Sequence, residues 1–390
     1  MLIPKQQKID KYLGYLLIGI LLPFTRFLGI TLRRNHKLFN PPQNILFIKI
    51  LGLGSLIVTI DSIKSIKAKY PQAKLILLTD SNIANGISPF KIFDELWTIK
   101  TNNIFLVFYK SIQFLVKSWR LKKLWVVDLE VYSKLTTVYS LMTFAINRFG
   151  FYLPYVFFRK NLNTNNVIFN QFGYLEDNYS YMAEIVTNGQ KELQYIDNGH
   201  RKNECQKPYI ALNNTCSDLA LARKLPDDTF ALVCQWLLEN TSYRLALLGA
   251  PKDKEIINDF LSEKSVLFSK RERIINLSGA NDNFNSYYRF LSEQCVCLIT
   301  IDSGPLHIAR KLGLPTLSIW GPTNPKNYLK VNPLEKGRHL YYYNQASCSP
   351  CIHHFEKLPC GGDNFCMKTI EANDIIRRVE TLLNNIKATS

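Results

Sequence analysis

From Asn44 onward the chain alternates between short apolar runs and longer stretches with helical spacing. Asn44 to Ile50 reads as a buried strand, with Ile45, Leu46, Phe47 and Ile48 in succession. A glycine-rich turn, Gly52-x-Gly54-Ser55, follows it. Residues 56–69 then carry Ile57, Ile60, Ile63 and Ile66 on one helical face, and 74–79 is the next strand. A strand–helix–strand unit with a right-handed crossover has parallel strands. Further strands are expected at 93–99 and 124–129, with a helix over 103–120 between them. Residues 148–166 read as irregular and basic, 179–188 as helical, and 189–207 as a polar link. A second series starts with the buried strand 208–212. Strands at 243–248, 274–277, 295–301 and 315–320 alternate there with helices near 227–239, 254–261, 284–294 and 305–312. An amphipathic helix over 370–386 closes the chain. Strands alternating with helices in both series predict two parallel α/β sheets.

The first 40 residues differ. Basic Lys5, Lys8 and Lys11 precede an uncharged run of 14 residues, Tyr12 to Thr25, which contains Pro23. A spanning helix needs about 20 apolar residues, and no small-residue cleavage site follows. The favoured reading is an apolar segment lying in a membrane interface, its basic residues on lipid head groups. A tilted span and a helix packed on the protein are the rivals. In a span, the heavier positive flank of Arg26, Arg33, Arg34 and Lys37 would keep the body on the cytoplasmic side. The expected layout is a membrane-associating segment at 1–40, an acceptor domain at 41–200, a donor-binding domain at 201–370 and a closing helix at 371–390.

At 390 residues and 47% hydrophobic content, two domains with substantial cores are feasible. The formal charge of +17 favours an anionic partner: a phosphate-bearing substrate, an acidic membrane surface or nucleic acid. The 20 Tyr and 23 Phe would suit base stacking. With no zinc-finger, helix-turn-helix or RNA-recognition signature, however, no nucleic acid is expected. Nine cysteines, an odd number scattered through a long chain, argue for a reducing compartment and against a secreted disulfide framework. Four of them, Cys348, Cys351, Cys360 and Cys366, fall within 19 residues beside Pro350, His353 and His354. A structural zinc, disulfides and free thiols are all compatible with that spacing.

The strand at 295–301 runs into Asp302-Ser303-Gly304-Pro305-Leu306-His307 and then a helix. Ligands of open α/β sheets sit outside the carboxyl ends of strands. Free N–H groups of Ser303 and Gly304 at a helix N-terminus would suit a diphosphate, and Asp302 and His307 would suit sugar or ribose hydroxyls. The plain alternative is that Asp302 or Ser303 caps the helix. Gly52-x-Gly54 alone is a weak nucleotide signal, because the third glycine and distal acid of the dinucleotide fingerprint are missing.

The run Asp302 to His307, with Ala309, Gly313, Pro315 and Trp320-Gly321-Pro322-Thr323, resembles the C-terminal signature of glycosyltransferase family 9, the heptosyltransferase family. Lys49-x-x-x-Leu53-Gly54-Ser55 with Thr59 is similar to its opening motif, and Leu124 to Glu130 to its next N-terminal-domain strand. Arg223-Lys224-Leu225-Pro226 resembles the family's basic-Trp-Pro string with leucine for tryptophan. The likeness covers roughly residues 44–370. It implies a GT-B fold, two Rossmann-like parallel-sheet domains facing across a cleft, and an inverting transfer of a sugar. The donor would be a nucleotide sugar such as ADP-heptose, held by Asn214, Thr215, Arg223, Lys224, Asp302, Ser303, Gly304, Pro305 and His307. The acceptor would be a lipid-linked saccharide such as the lipopolysaccharide core, on the side of Lys49, Gly52 and Gly54. The family's base is an aspartate where this chain has Ser55, so Asp128 and Glu130 become the replacement candidates, with Asp61 weaker. No cofactor is needed for this chemistry. The expected location is peripheral on the cytoplasmic face of the inner membrane. A catalytically silent sugar-nucleotide-binding relative is the main alternative, and a nucleic-acid binder the weaker one.

Overall fold

The computed structural model describes residues 5–32, 36–38, 40–100, 104–189, 208–216, 218–279, 284–330, 335, 337–352, 355 and 358–389. Arg33-Arg34, residues 190–207 of the expected link, and His353-His354 lie outside the described residues. The chain divides into two compact units, Leu2–Ile196 and Asp197–Ser390.

The N-terminal unit is a six-stranded parallel sheet: β1 (Asn44–Lys49), β2 (Lys74–Asp80), β3 (Glu95–Ile99), β4 (Leu124–Asp128), β5 (Asn147–Tyr152) and β6 (Asn165–Ile168). Its spatial order is β3-β2-β1-β4-β5-β6, and Lys49 lies opposite Thr79 on β2. Helices α1 (Lys5–Leu32), α2 (Leu53–Val58), α3 (Ile60–Lys69), α4 (Ser81–Ile87), α5 (Ile104–Trp119), α6 (Lys134–Met142) and α7 (Leu175–Val186) surround it. The connections run one way from β1 to β3 and the other way from β3 to β6. Right-handed crossovers therefore put α2 to α4 on one face and α5 and α6 on the other. The packing agrees. Tyr70, which ends α3, meets Trp125 edge to face at 5.5 Å. On the opposite face Phe114 of α5 and Tyr139 of α6 pack with Leu46, Ile48, Ile76, Trp97 and Val126.

The C-terminal unit repeats the plan with β7 (Tyr209–Asn213), β8 (Arg244–Leu247), β9 (Ile274–Asn276), β10 (Cys295–Ile301), β11 (Thr316–Trp320) and β12 (His339–Tyr343). The order β12-β11-β10-β7-β8-β9 is the same doubly wound sequence, and all pairs are parallel. Its helices are α8 (Asp227–Asn240), α9 (Lys254–Glu263), α10 (Phe284–Arg289), α11 (Gly304–Lys311), α12 (Pro325–Tyr328), α13 (Phe365–Lys368) and α14 (Ala372–Thr389). Ile375, Val379 and Leu382 of α14 are fully buried against α8 and the sheet, the i, i+4, i+7 face that the sequence pattern implied.

Several expectations need correction. Residues 148–166 are not irregular but contain β5, a 3-10 turn (Pro154–Asn161) and β6. The polar surroundings hid β5: Arg148 on this strand turns back to the carbonyls of Ala145 and Leu162. The helix expected over 56–69 is two, α2 and α3, divided at Thr59, whose hydroxyl bonds back to the Leu56 carbonyl at 2.6 Å. Asp61 accordingly sits in the first turn of α3, where a carboxylate suits the helix dipole, and not mid-helix.

The leader is a continuous helix, α1. One side packs on α6, where Gly14 comes so close that a Cβ would meet that of Lys134 at 2.4 Å. Asp10 accepts from the backbone N–H of Lys134 and Leu135 at 3.0 Å each and from the Ser133 hydroxyl at 2.7 Å, so it shares the capping of α6 with Ser133. Among the described residues no helix is long and apolar enough to cross a membrane.

Candidate functional site

In both sheets the strand order reverses between the first and fourth strands of the unit, and the crevice at that reversal is where such sheets bind ligands. The residues singled out from sequence lie at these two points: after β1 and β4 in one unit, after β7 and β10 in the other.

In the C-terminal unit Asn213 ends β7 beside Thr300 of β10. Its amide donates to the Ser303 hydroxyl at 3.0 Å and the Thr215 carbonyl at 2.9 Å, and its carbonyl oxygen accepts from the Thr215 hydroxyl at 3.1 Å. Asn214 instead clamps Leu225, accepting from its N–H at 2.9 Å and donating to its carbonyl at 3.2 Å. That pair fixes the return of the loop carrying Arg223. Asp302 is 4% exposed. Its Oδ2 accepts from the Thr323 hydroxyl at 2.6 Å and lies 3.2 Å from Arg223 Nε. Lys224 pairs with Asp227 at 3.0 Å. Of the two cations, Arg223 thus joins the strand-end cluster and Lys224 stays at the start of α8.

Ser303 is the N-cap of α11, but its side chain makes no capping bond; its hydroxyl is turned to Asn213 and Thr300. The plain capping alternative therefore fails for Ser303. Pro305 in the first turn has no N–H to satisfy, and a Cβ on Gly304 would meet nothing within 4 Å. The space at Gly304 is open, and the Arg223 guanidinium is held at the neighbouring Asp302, a combination suited to an anion. His307, one turn further, is buried, and burial pushes its pKa down to about 4 despite the nearby Asp302. It is a neutral imidazole at pH 7, able to donate one hydrogen bond and accept another.

In the N-terminal unit Gly52 has φ +84° and opens α2, a left-handed conformation that favours glycine. Gly54 is the second residue of that helix. The Ser55 hydroxyl turns back to the Gly52 carbonyl at 2.8 Å. Glu130 organises the turn: one oxygen accepts the N–H groups of Ile50 and Leu51 at 2.8 Å each, and the other takes Lys49 at 3.1 Å. Burial opposes the Lys49 charge, but Glu130, helped by Tyr179 and Asp128, outweighs it and holds the ammonium above its usual range. Asp128 does not face an acceptor as the sequence suggested. It is fully buried, bonded by the Thr136 hydroxyl at 3.0 Å and the Arg159 guanidinium. Burial raises its carboxyl to about 6, with Arg159 opposing. Arg159 is itself fully buried and donates to the carbonyls of Val131 and Phe151 at 3.2 Å and the Thr137 hydroxyl at 2.7 Å. Asp128 and Arg159 form an internal brace, and Glu130 is spent on the turn.

Asn213, Thr323 and Arg159 were missed from sequence. Asn213 is a polar residue ending an apolar strand, and Thr323 closes the Trp-Gly-Pro-Thr run, so both carried a signal. Arg159 carried none, since its acceptors are carbonyls brought together only by folding.

Among the described residues no group of three or more His, Cys, Asp or Glu is gathered closely enough to hold a metal. The four-cysteine zinc expectation does not fit this arrangement. Cys348, Cys351, Cys360 and Cys366 carry no disulfide. The segment has a packing role: the N–H of Cys351 donates to the Pro322 carbonyl at 2.9 Å, and a Cβ on Gly321 would meet Met367 Sδ at 2.6 Å and Cys366 Sγ at 3.0 Å. The tail presses on the turn that supplies Thr323 to Asp302.

Two doubly wound sheets with their polar residues gathered at both switch points define the GT-B class of glycosyltransferase architecture. A family model for glycosyltransferase family 9 (heptosyltransferase) matches residues 163–360, just over half of the chain, and the chain belongs to that family. It is 29% identical over 105 residues to lipooligosaccharide heptosyltransferase 2 of Haemophilus influenzae, a match spanning 27% of this chain and only 29% of that protein. The fold is similar to a family 9 glycosyl transferase from Veillonella parvula, with a TM-score of 0.66 at 17% identity, covering 88% of this chain and 97% of that one. It is also similar to the E. coli ADP-heptose lipopolysaccharide heptosyltransferase II, with a TM-score of 0.62 at 16% identity, covering 88% and 99%.

Proposed function

We propose that this protein is an inverting glycosyltransferase. It moves a sugar, heptose by analogy with the E. coli heptosyltransferase II, from a nucleoside-diphosphate donor to a lipid-linked saccharide such as a lipopolysaccharide core. The observation that carries the reading is the Arg223–Asp302–Thr323 cluster, with Asp302 and Thr323 buried, beside the open space at Gly304 of α11. As the acceptor hydroxyl oxygen bonds to the anomeric carbon it gives its proton to water, the carbon–oxygen bond to the diphosphate breaks, and the bonding pair leaves as negative charge on the nucleoside diphosphate. Arg223 and the Gly304 N–H stabilise that charge. Asp302 holds a donor hydroxyl through Oδ1 while Oδ2 keeps Arg223 and Thr323, and His307 and Thr215 complete the donor side. Lys49, Gly52 and Gly54 form the acceptor side, with Glu130 as the positioning residue that sets the turn. The basic leader brings the enzyme to the cytoplasmic face of the membrane where its acceptor is anchored.

The test is transfer. Purified protein is offered several nucleotide sugars with core saccharide acceptors, and products are followed by mass spectrometry. A mass gain of one sugar is expected. The Ser55 hydroxyl bonded to Gly52, where the family carries a carboxylate, favours a silent relative as the second reading. Donor binding without transfer to any acceptor would retire the enzyme in its favour.

A further inference from the structure

Helix α5 has two apolar faces, and the sheet covers only one. Phe114, Leu115 and Ser118 are buried. On the adjoining side, turned away from the sheet, Phe108, Tyr109 and Ile112 stand at 69%, 62% and 46% exposure, and Val116 and Trp119 continue the stripe. At 100° per residue these five fall within about a third of the helix circumference. An apolar stripe facing water on an already packed helix marks a binding surface.

Helix α1 repeats the pattern. Its packed side carries Gly14 and Ile18, and its other side exposes Tyr12, Leu16, Ile20 and Phe24. It packs on α6, and α6 shares its face of the sheet with α5. The first half of α5 leaves from the carboxyl end of β3. Asp10 on α1 caps α6 where that helix leaves the carboxyl end of β4. Both stripes therefore rise from one layer at the edge of the sheet that carries the Gly52 turn.

Charge selects the occupant. Residues 2–196 hold 24 Lys and Arg against 11 Asp and Glu, so +13 of the total +17 sits in this unit. Residues 96–127, which include α5, have six basic residues and no acidic one; residues 11–60 have the same balance. A second copy of so basic a surface would be repelled, whereas anionic head groups attract it. Tyr, Trp and Phe among lysines is the composition that settles at the head-group level of a bilayer.

We infer that the exposed faces of α5 and α1 together form a docking surface for an anionic lipid bilayer. α5 seats its aromatic side chains at the interface beside the acceptor-side turn. The inference rests on the reading of the acceptor as lipid-anchored and extends membrane contact from the leader to a helix of the folded unit.

The test is flotation of the full chain with vesicles of phosphatidylethanolamine and phosphatidylglycerol, without donor or acceptor, and with phosphatidylcholine vesicles as control. The wild type is expected on the anionic vesicles and mostly off the neutral ones, with binding weakened by high salt. The variant Phe108→Ser/Tyr109→Ser/Ile112→Ser should bind at least about tenfold more weakly, since its three apolar contacts are lost. Its melting temperature should not fall, because these side chains contact water. Leu16→Ser/Ile20→Ser/Phe24→Ser should weaken binding independently. Unchanged vesicle binding by the α5 variant overturns the inference. So does a wild-type dimer that this variant dissociates, which would make the face a protein contact. Transfer to a soluble, lipid-free acceptor is scored separately, so the lipid surface and the transferase reading can fail independently.

Discussion

Asp302→Ala is the most informative perturbation. Asp302 is 4% exposed, and its Oδ2 carries both the Thr323 hydroxyl at 2.6 Å and Arg223 at 3.2 Å. Removing one partner of a buried ion pair costs about 3–5 kcal/mol. The Arg223 side chain is 16% exposed, so water takes back part of this, leaving about 2–4 kcal/mol. The orphaned Thr323 hydroxyl adds about 1 kcal/mol. A total near 3–5 kcal/mol lowers the melting temperature of a unit of this size by roughly 6–20 °C. Asp302→Asn keeps an oxygen for Thr323 and loses only the charge, so about 1–2 kcal/mol is expected. A thermal-melt cycle with Arg223→Met isolates the pair and should return a coupling of about 1–3 kcal/mol. Calorimetric titration of the folded Asp302→Asn variant with ADP-sugar then reads the donor role, expected as at least a tenfold loss of affinity. An Asp302→Ala protein melting within about 2 °C of wild type, or a coupling near zero, would refute the cluster as described.

Three more outcomes follow from other parts of the molecule. Arg159→Met leaves Asp128 buried without its cation and should cost about 3–5 kcal/mol in urea unfolding; a loss under about 1 kcal/mol would contradict the brace. His307 is held to about 4 in the folded state by burial, so the unfolded chain takes up its proton first as the pH falls. Its contribution is complete above pH 6.5, declines between there and about 4, and amounts to about 2 kcal/mol lost at pH 5. His307→Gln should flatten that acid slope, and an identical slope in the variant argues against it. For the thiols, burial works against Cys360, but the N–H groups of Asn364, Gly362 and Asp363 outweigh it and lower its pKa. Burial and the neighbouring thiols push Cys351 up to about 11. Alkylation near pH 8 should modify Cys360 well before Cys351. Protection of all four cysteines that a chelator relieves would instead reveal a metal.

Most of the sheet architecture was legible because buried parallel strands are continuous apolar runs, as in Ile45 to Ile48 and Ile210 to Leu212. β12 escaped although its three tyrosines carry strand propensity, because an edge strand of half-buried residues lacks that uniform apolarity. The site was legible as positions and less so as roles. Asp302 and Glu130 fall at the strand ends the pattern indicated, yet their partners come from residues 79 and 80 positions away in sequence. A local pattern cannot announce that Glu130 will be consumed by the N–H groups of Ile50 and Leu51. The same limit applied to the tail: cysteine spacing suggested ligation, while folding turns the segment against Gly321 and Pro322.

Asp10 makes the leader part of the folded unit. Its carboxylate closes the start of α6, and the next residues of that helix hold Asp128 and Arg159 through Thr136 and Thr137. Trimming the chain to begin near Pro41, the obvious route to a better-behaved sample, would strip that carboxylate and bare the side of α6 that α1 covers. The shortened protein would lose more than its greasy end: the loosened helix leads within three residues to the carboxylate that braces β4. On the membrane reading proposed above, α1 would face the bilayer on one side and the interior of its own unit on the other.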